Sequence, residues 1–226
     1  MSNIQWSFNN KKAIVVGGSR GIGKGVIDSL KNAGAHTLEI NSSNCDIKEK
    51  SAIDNFFQKN NEEFNFLINV AGINYTHKIE DIDFDEWNEV IDTNLRSFYY
   101  ISKKVLEKMP NGGRIVNISS IAGRHRSIVS GVHYTSSKAG IIGLTKQIAY
   151  EVGAKNITVN AVCPSQTRTE MLAQSMTAKE IEILGKTIPL GRIAEVQEVV
   201  SAVLFLLSDE ASYITGTTID VNGGQL

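Results

Sequence analysis

Cysteine is scarce in this chain. Cys45 and Cys163 are the only two among 226 residues, which excludes a disulfide-framed scaffold and fits a reducing compartment better than an oxidising one. An excess of charge of one sign is also missing. The chain carries 23 basic and 24 acidic residues, a net charge of −1, so nothing in the balance points to nucleic acid or a membrane surface as partner. No run approaches the ~18 consecutive apolar residues of a membrane span. The opening MSNIQWSFNNKK lacks the apolar stretch of a signal peptide. His36 and His77 show no spacing with cysteine or carboxylate that suggests a metal site, so no metal is expected. Repeats, low-complexity segments and linkers are absent. These exclusions leave a soluble, cytoplasmic protein, read as one domain over 1–226.

What is present is a regular alternation of short apolar runs and longer helical patterns. The runs AIVV (Ala13–Val16), Thr37–Ile40, FLINV (Phe66–Val70), IVNI (Ile115–Ile118), Thr158–Val162 and Thr217–Val221 read as strands. Between them, Ile22–Ala33, Lys48–Asn60, Asp83–Met109, His133–Val152 and Glu195–Leu207 have helical spacing. Alternation of this kind predicts the α/β class, a parallel sheet with helices on both faces. The segment 165–192 is polar and less regular, with a helical piece inside, and is expected to be a substrate loop or lid.

Two motifs carry chemistry. GGSRGIG follows the first strand and opens the first helix, with Gly17, Gly21 and Gly23 spaced G-x-x-x-G-x-G. Glycines allow a tight turn and close approach of a pyrophosphate, which the helix N-terminus favours. YTSSK places Tyr134 and Lys138 one helical turn apart on one face. A nearby ammonium favours the phenolate and would lower the tyrosine pKa toward neutrality, suiting it to move a proton to or from an alcohol.

Together with NVAG (Asn69–Gly72), DTNLRS around Asn94, IVNISSIAG with the serine pair Ser119-Ser120, NAVCP (Asn160–Pro164) and the terminal IDVNGGQL, these motifs resemble the short-chain dehydrogenase/reductase family over nearly the whole chain. The general pattern is similar to its 3-oxoacyl-[acyl-carrier-protein] reductases. The resemblance implies a Rossmann-type doubly wound sheet and a ketone–secondary alcohol oxidoreductase. It implies a catalytic set of Asn94, Ser120, Tyr134 and Lys138, with Ser119 the competitor for the serine role. It further implies a dinucleotide held by Gly17, Ser19, Arg20, Gly21, Ile22 and Gly23, by Asn41, Ser42, Asp46 and Ile47, and by Asn69, Ala71 and Gly72. Tyr134, Lys138, Pro164, Thr167 and Thr169 complete that set. Asn94, mid-helix, is read as a kink or a water site linking Lys138 to solvent.

Three departures from the family pattern stand out. Val16 replaces a threonine before the first glycine. Ser165 replaces a glycine after Pro164, which puts the geometry around Thr167 and Thr169 in question. The CDI segment holding Asp46 follows Asn41 by only five residues, so the helix between strands 2 and 3 is missing and strand 3 is vestigial. Asn41, Ser42 and Ser43 stand where an acid would select NAD(H), and Arg20 can reach a 2′-phosphate. NADP(H) is therefore the expected cofactor, with NAD(H) the alternative. The loop Gly123–Arg126 holds two arginines and a histidine; it reads either as an attractor of an anionic substrate or as a solvated or subunit-contact loop. His133 reads as a pocket residue or a helix-start residue. A homodimer or homotetramer follows from the resemblance, with apolar surface assigned to helices bearing Trp87, Phe98, Tyr99, Tyr100, Leu106 and 141–148. The substrate reads as a small carbonyl or alcohol, of 3-oxoacyl or keto-sugar type. A sugar or nucleotide-sugar dehydrogenase is the rival enzyme reading, and a non-catalytic dinucleotide sensor the rival of another class.

Overall fold

The computed structural model describes residues 6–225. The elements run β1 (Lys12–Val16), α1 (Gly21–Asn32), β2 (His36–Ile40), α2 (Lys50–Lys59), β3 (Phe66–Asn69), α3 (Phe84–Ile91), α4 (Ser97–Leu106), β4 (Arg114–Ile118), α5 (Val132–Val152), β5 (Thr158–Pro164), α6 (Glu170–Ser175), α7 (Ala178–Lys186), α8 (Val196–Leu207) and β6 (Thr218–Val221). All strand pairs are parallel, in the order β2-β1-β3-β4-β5-β6. The doubly wound α/β sheet expected from the alternation is therefore present.

The strands are apolar on both faces because helices cover both. In β1, Ala13 and Val15 join the core under α1 and α8, while Ile14 and Val16 join the core on the side of α2, α4 and α5. This is the period-two alternation of a strand, with both halves buried. From β1 the chain steps outward through α1 to β2, then crosses back through α2 to β3 on the other side of β1, and β4, β5 and β6 continue in that direction. A topological switch point therefore lies between β1 and β3, at the carboxyl edge where ligands bind in such sheets.

The stretch between β2 and α2 confirms the shortening read from the sequence. The vestigial strand is reduced to turns, and no helix intervenes. Asn41 builds the turn: its Oδ1 accepts from the Ser43 N–H at 3.0 Å and hydroxyl at 2.6 Å, while the Asn41 N–H donates to Asn44 Oδ1 at 3.0 Å. Short polar side chains commonly replace backbone partners in this way.

The long helical stretch near Asp83–Met109 is continuous but not uniformly α. Between α3 and α4, Asp92–Arg96 forms a π-helical turn. The Ser97 N–H bonds to Asp92 O, and the Ser97 hydroxyl takes the Thr93 carbonyl at 2.6 Å. That side chain satisfies the carbonyl which the wider turn would otherwise leave unpaired.

The segment 165–192 folds into α6 and α7, two helical pieces where the sequence suggested one. Ser165 takes no positive φ, so serine is accommodated there without strain, and its N–H donates to Val221 O at 3.0 Å. Phe98, Ile141 and Ile148 are buried in the chain's own core, which removes them from any apolar surface left for a second copy. Tyr99 and Tyr150 are exposed. No helix among the described residues is long and apolar enough to cross a membrane.

Candidate active site

A cleft of ≈ 810 Å³ opens at the carboxyl edge of the sheet, large enough for a cofactor-sized ligand. Gly17, Ser19, Arg20, Gly21 and Ile22 form one wall, from the β1–α1 turn. Asn41, Ser42, Asp46 and Ile47 form a second, from the turns after β2. Ala71 and Gly72 follow β3; Tyr134 and Lys138 come from α5; Pro164, Thr167 and Thr169 come from the end of β5 and the loop beyond it. The topology thus gathers most of the residues singled out from sequence.

The glycine loop is tight because its neighbours leave no room. Gly17 has φ +86°, and a Cβ there would stand 2.7 Å from the Ala71 backbone. Gly23 lies off the cleft wall: a Cβ on it would come within 2.0 Å of Gly17 O. Its part is to let α1 pack against the loop, rather than to touch a ligand. At the N-terminus of α1, the Gly21 N–H donates to Glu170 Oε2 at 3.1 Å. A carboxylate of α6 therefore occupies an anion-accepting position at the N-terminus of α1.

Asn69 does not line the cleft. It is buried within the sheet, where its Nδ2 donates to Asn117 Oδ1 at 2.8 Å and to Ser102 Oγ at 3.3 Å. The pleat turns its side chain into the core, and the next residue, Val70, faces the cleft instead.

Around Tyr134 the chemistry is specific. Ser119 is buried, and its hydroxyl donates to Lys138 O at 2.7 Å, so that hydroxyl is engaged in structure. Ser120 Oγ accepts the Ala122 N–H at 3.1 Å and its hydroxyl meets the Tyr134 phenol, although Ser119 and not Ser120 is on the cleft lining. Burial pushes the Tyr134 phenol up, and a hydrogen bond with the Ser120 hydroxyl opposes the rise. The direction is opposite to the lowering expected from the sequence, because burial outweighs the hydrogen bond, and Lys138 is engaged elsewhere. Its Nζ donates to Ile118 O at 2.9 Å and lies 5.5 Å from the Tyr134 ring centroid. Burial in turn pushes the Lys138 ammonium down to about 8.

Asn94 sits in the π-helical turn, fully buried. Its Oδ1 accepts the Ile73 N–H at 2.9 Å, and its Nδ2 donates to Ile73 O at 2.9 Å and Ser137 Oγ at 3.1 Å. A Cβ placed on Gly72 would be 3.3 Å from Asn94 Oδ1 and 3.5 Å from Lys138 Nζ. The asparagine thus clamps the strand end beside the lysine, at the kink read from its poor helix propensity.

Other expectations change. Arg124 hydrogen bonds to Thr218 and pairs with Asp220 at 3.3 Å on β6, and none of Arg124, His125 or Arg126 lines the cleft. The basic loop therefore gives no reason to expect an anionic substrate. The residues just after it do line the cleft: Ile128, Val129 and Ser130, with Ile73 and Asn74 opposite and Met171, Leu172 and Met176 from the α6 segment. They are mostly uncharged, so a reading that followed charge passed over them. Glu39 lies behind the wall formed by Asn41, outside the cleft lining. It shares a strand face with Asn41, two residues on, receives the Asn41 Nδ2 at 2.8 Å, and lies against Gly18.

The chain matches the family model described as enoyl-(acyl carrier protein) reductase over residues 24–225. It is 36% identical to the 3-oxoacyl-[acyl-carrier-protein] reductase of Salmonella typhimurium, over 96% of this chain and 98% of that protein. That alignment runs over 241 positions, more than the 226 residues present here, so the relative has residues without counterpart in this chain. Among solved structures, the ligand-free aldohexose dehydrogenase of Thermoplasma acidophilum superposes with TM-score 0.89 at 33% identity, covering 96% of this chain and 94% of that one. The 3-oxoacyl-[acyl-carrier protein] reductase of Brucella melitensis with bound NAD gives TM-score 0.85 at 27% identity, covering 97% and 93%. The sheet order, the glycine loop and these matches together establish that the chain belongs to the short-chain dehydrogenase/reductase family of oxidoreductases and is similar to its 3-oxoacyl-[acyl-carrier-protein] reductases.

Proposed function

We propose that this chain interconverts a ketone and a secondary alcohol with a nicotinamide dinucleotide, using Ser120, Tyr134, Lys138 and Asn94. The observation that carries the reading is that Tyr134 and Lys138 line the same cleft as the glycine loop, with Ser120 hydrogen bonded to Tyr134 and Asn94 behind the wall on Ser137. The bound dinucleotide would supply or accept the hydride; the side chains handle the proton and the charge. The Ser120 hydroxyl, its oxygen held by Ala122 N–H, donates to the substrate oxygen as charge gathers there. The Tyr134 phenol, kept protonated by burial, is the proton donor in reduction, and its phenolate the acceptor in oxidation. One Lys138 donor is bound by Ile118 O, which leaves two for a ribose and the phenol. Asn94 holds the Ile73 peptide and Ser137, and through them the surroundings of Lys138.

The cofactor reading is NADP(H). Arg20 is exposed at the cleft wall, and among the described residues its side chain has no ion-pair partner. The favoured substrates are ketones of 3-oxoacyl type, after the similarity to the Salmonella protein. A keto-sugar or sugar substrate is the second reading, favoured by the likeness to the Thermoplasma aldohexose dehydrogenase. NAD(H) is the second cofactor reading, favoured by the Glu39 carboxylate beside Gly18. A homodimer or homotetramer is proposed, with exposed Tyr99 and Tyr150 at the contacts.

The test is turnover of a panel of acyl thioesters, keto sugars and nucleotide sugars with NADPH and with NADH. Tyr134→Phe should abolish turnover while cofactor binding, followed by fluorescence, stays unchanged. Full turnover in that variant would overturn the tyrosine mechanism. Cofactor binding without turnover of any carbonyl would favour a dinucleotide sensor, and a clear NADH preference would reverse the cofactor assignment.

A further inference from the structure

We propose that His133 is a positioning residue that holds Tyr134 in place, and that Glu86 holds His133. The inference rests on Tyr134 being the proton-handling residue of the site. His133 directly precedes Tyr134 in the first turn of α5, with its side chain 0% exposed. The residue at the N-cap is Gly131, which has no side chain to offer the first-turn N–H groups. His133 Nδ1 fills that part by accepting the backbone N–H of Tyr134 at 2.7 Å. An accepting Nδ1 places the ring proton on Nε2, and Nε2 meets Glu86 Oε1 at 2.8 Å.

Glu86 reaches from α3 and is itself anchored. Its backbone N–H is taken by Asp83 Oδ1 at 2.8 Å, and its second carboxylate oxygen meets His77 Nδ1 at 2.8 Å. Burial and packing hold the imidazole in one orientation. A Cβ on Gly131 would come within 2.5 Å of His133 Cε1, and the Tyr75 ring lies 6.2 Å away between centroids. Tyr75 is fixed in turn, since its carbonyl accepts the Gly131 N–H at 2.8 Å.

A run of hydrogen bonds therefore leads from α3 through the imidazole to the peptide of Tyr134. The same helix continues into the π-helical turn that holds Asn94. Asn94 and Tyr134 are thus both referenced to one continuous helical stretch. Loss of the imidazole frees the first turn of α5, and a misplacement of about 1 Å in a reacting group can cost roughly 100-fold in rate. Neither His133 nor Glu86 lines the cleft, so the effect is on orientation.

The experiment compares His133→Ala, His133→Asn, His133→Gln and Glu86→Gln in the full chain, with Tyr134→Phe as control. Asparagine keeps an acceptor near the Nδ1 position, while glutamine keeps a donor near the Nε2 position. His133→Ala should lower kcat by about 10- to 100-fold, with the cofactor dissociation constant unchanged. His133→Asn should recover most of that loss and His133→Gln should not; Glu86→Gln should fall between them. Wild-type kcat in His133→Ala, or equal losses in the Asn and Gln variants, overturns the proposal. If the alanine variant does not fold, the Asn and Gln pair decides alone. Turnover retained by Tyr134→Phe would remove the tyrosine reading itself. An inactive Tyr134→Phe beside a fully active His133→Ala would overturn only the role of His133.

Discussion

Replacing Asn94 by alanine removes three hydrogen bonds at once, and their consequences differ. Ser137 Oγ retains a partner, because it donates to Tyr134 O at 2.7 Å. The Ile73 N–H and carbonyl lose theirs, and both depend on Asn94 at 2.9 Å. An orphaned buried group costs about 1–3 kcal/mol. Ile73 is only partly buried, so water reaches it and the lower end applies, giving about 2 kcal/mol for the pair. In a chain of this length each kcal/mol lowers the melting temperature by about 2–4 °C. Asn94→Ala should therefore melt roughly 4–8 °C lower, measured by calorimetry beside far-UV circular dichroism that shows unchanged helix content. Asn94→Asp keeps the acceptor for the Ile73 N–H but sets a carboxylate against the Ile73 carbonyl, so it should not rescue the melt fully. An alanine variant melting within about 1 °C of the natural chain would refute the reasoning, because Asn94 would then not be the clamp on the strand end.

Two further outcomes follow from the charged groups of the cleft. Glu170→Gln should tighten dinucleotide binding about two- to fivefold, the worth of one charge at a helix N-terminus, since its carboxylate competes for the Gly21 N–H at 3.1 Å; weaker binding in a fluorescence titration would show that Glu170 assists the ligand instead. Lys138→Met should melt higher than the natural chain near neutral pH, because burial lowers the lysine from 10.5 to about 8. Between those two values the unfolded chain binds the extra proton and the folded one does not, so the natural chain gains stability as pH rises through that window. The gap between the two melting curves should close over that range, and a gap constant with pH would contradict the buried-ammonium account.

The fold was legible wherever the pattern is local. The unbroken apolar run AIVV marked a strand covered on both faces, and the four residues between Asn41 and Asp46 left no room for a helix. The glycine loop was legible because its glycines are demanded by contacts a sequence implies, a turn and a helix packed on it. The failures are those of direction. Asn69 and Val70 adjoin in sequence, yet the pleat sends one into the sheet and the other to the cleft. Arg124 looked free as a charge in a loop, but β6, nearly a hundred residues on, supplies its partners. Glu170 and Gly21 meet across 149 positions, a contact no local pattern announces.

The sequence by itself determined the alternation of strands and helices, the glycine-rich turn between β1 and α1, and the candidate hydroxyls, phenol and amine for proton chemistry. Those properties belong to residue type and to spacing within one or two turns. The tertiary structure alone decided the rest: that the Ser119 hydroxyl is bound to Lys138 O while Ser120 meets Tyr134, that Lys138 is turned to Ile118 and its pKa lowered, and that His133 ties Tyr134 to α3. The reason is that hydrogen-bond partners and desolvation depend on which distant segments the fold brings together. A phenol and an ammonium one turn apart promise a lowered tyrosine pKa, but burial reverses that promise in the folded chain.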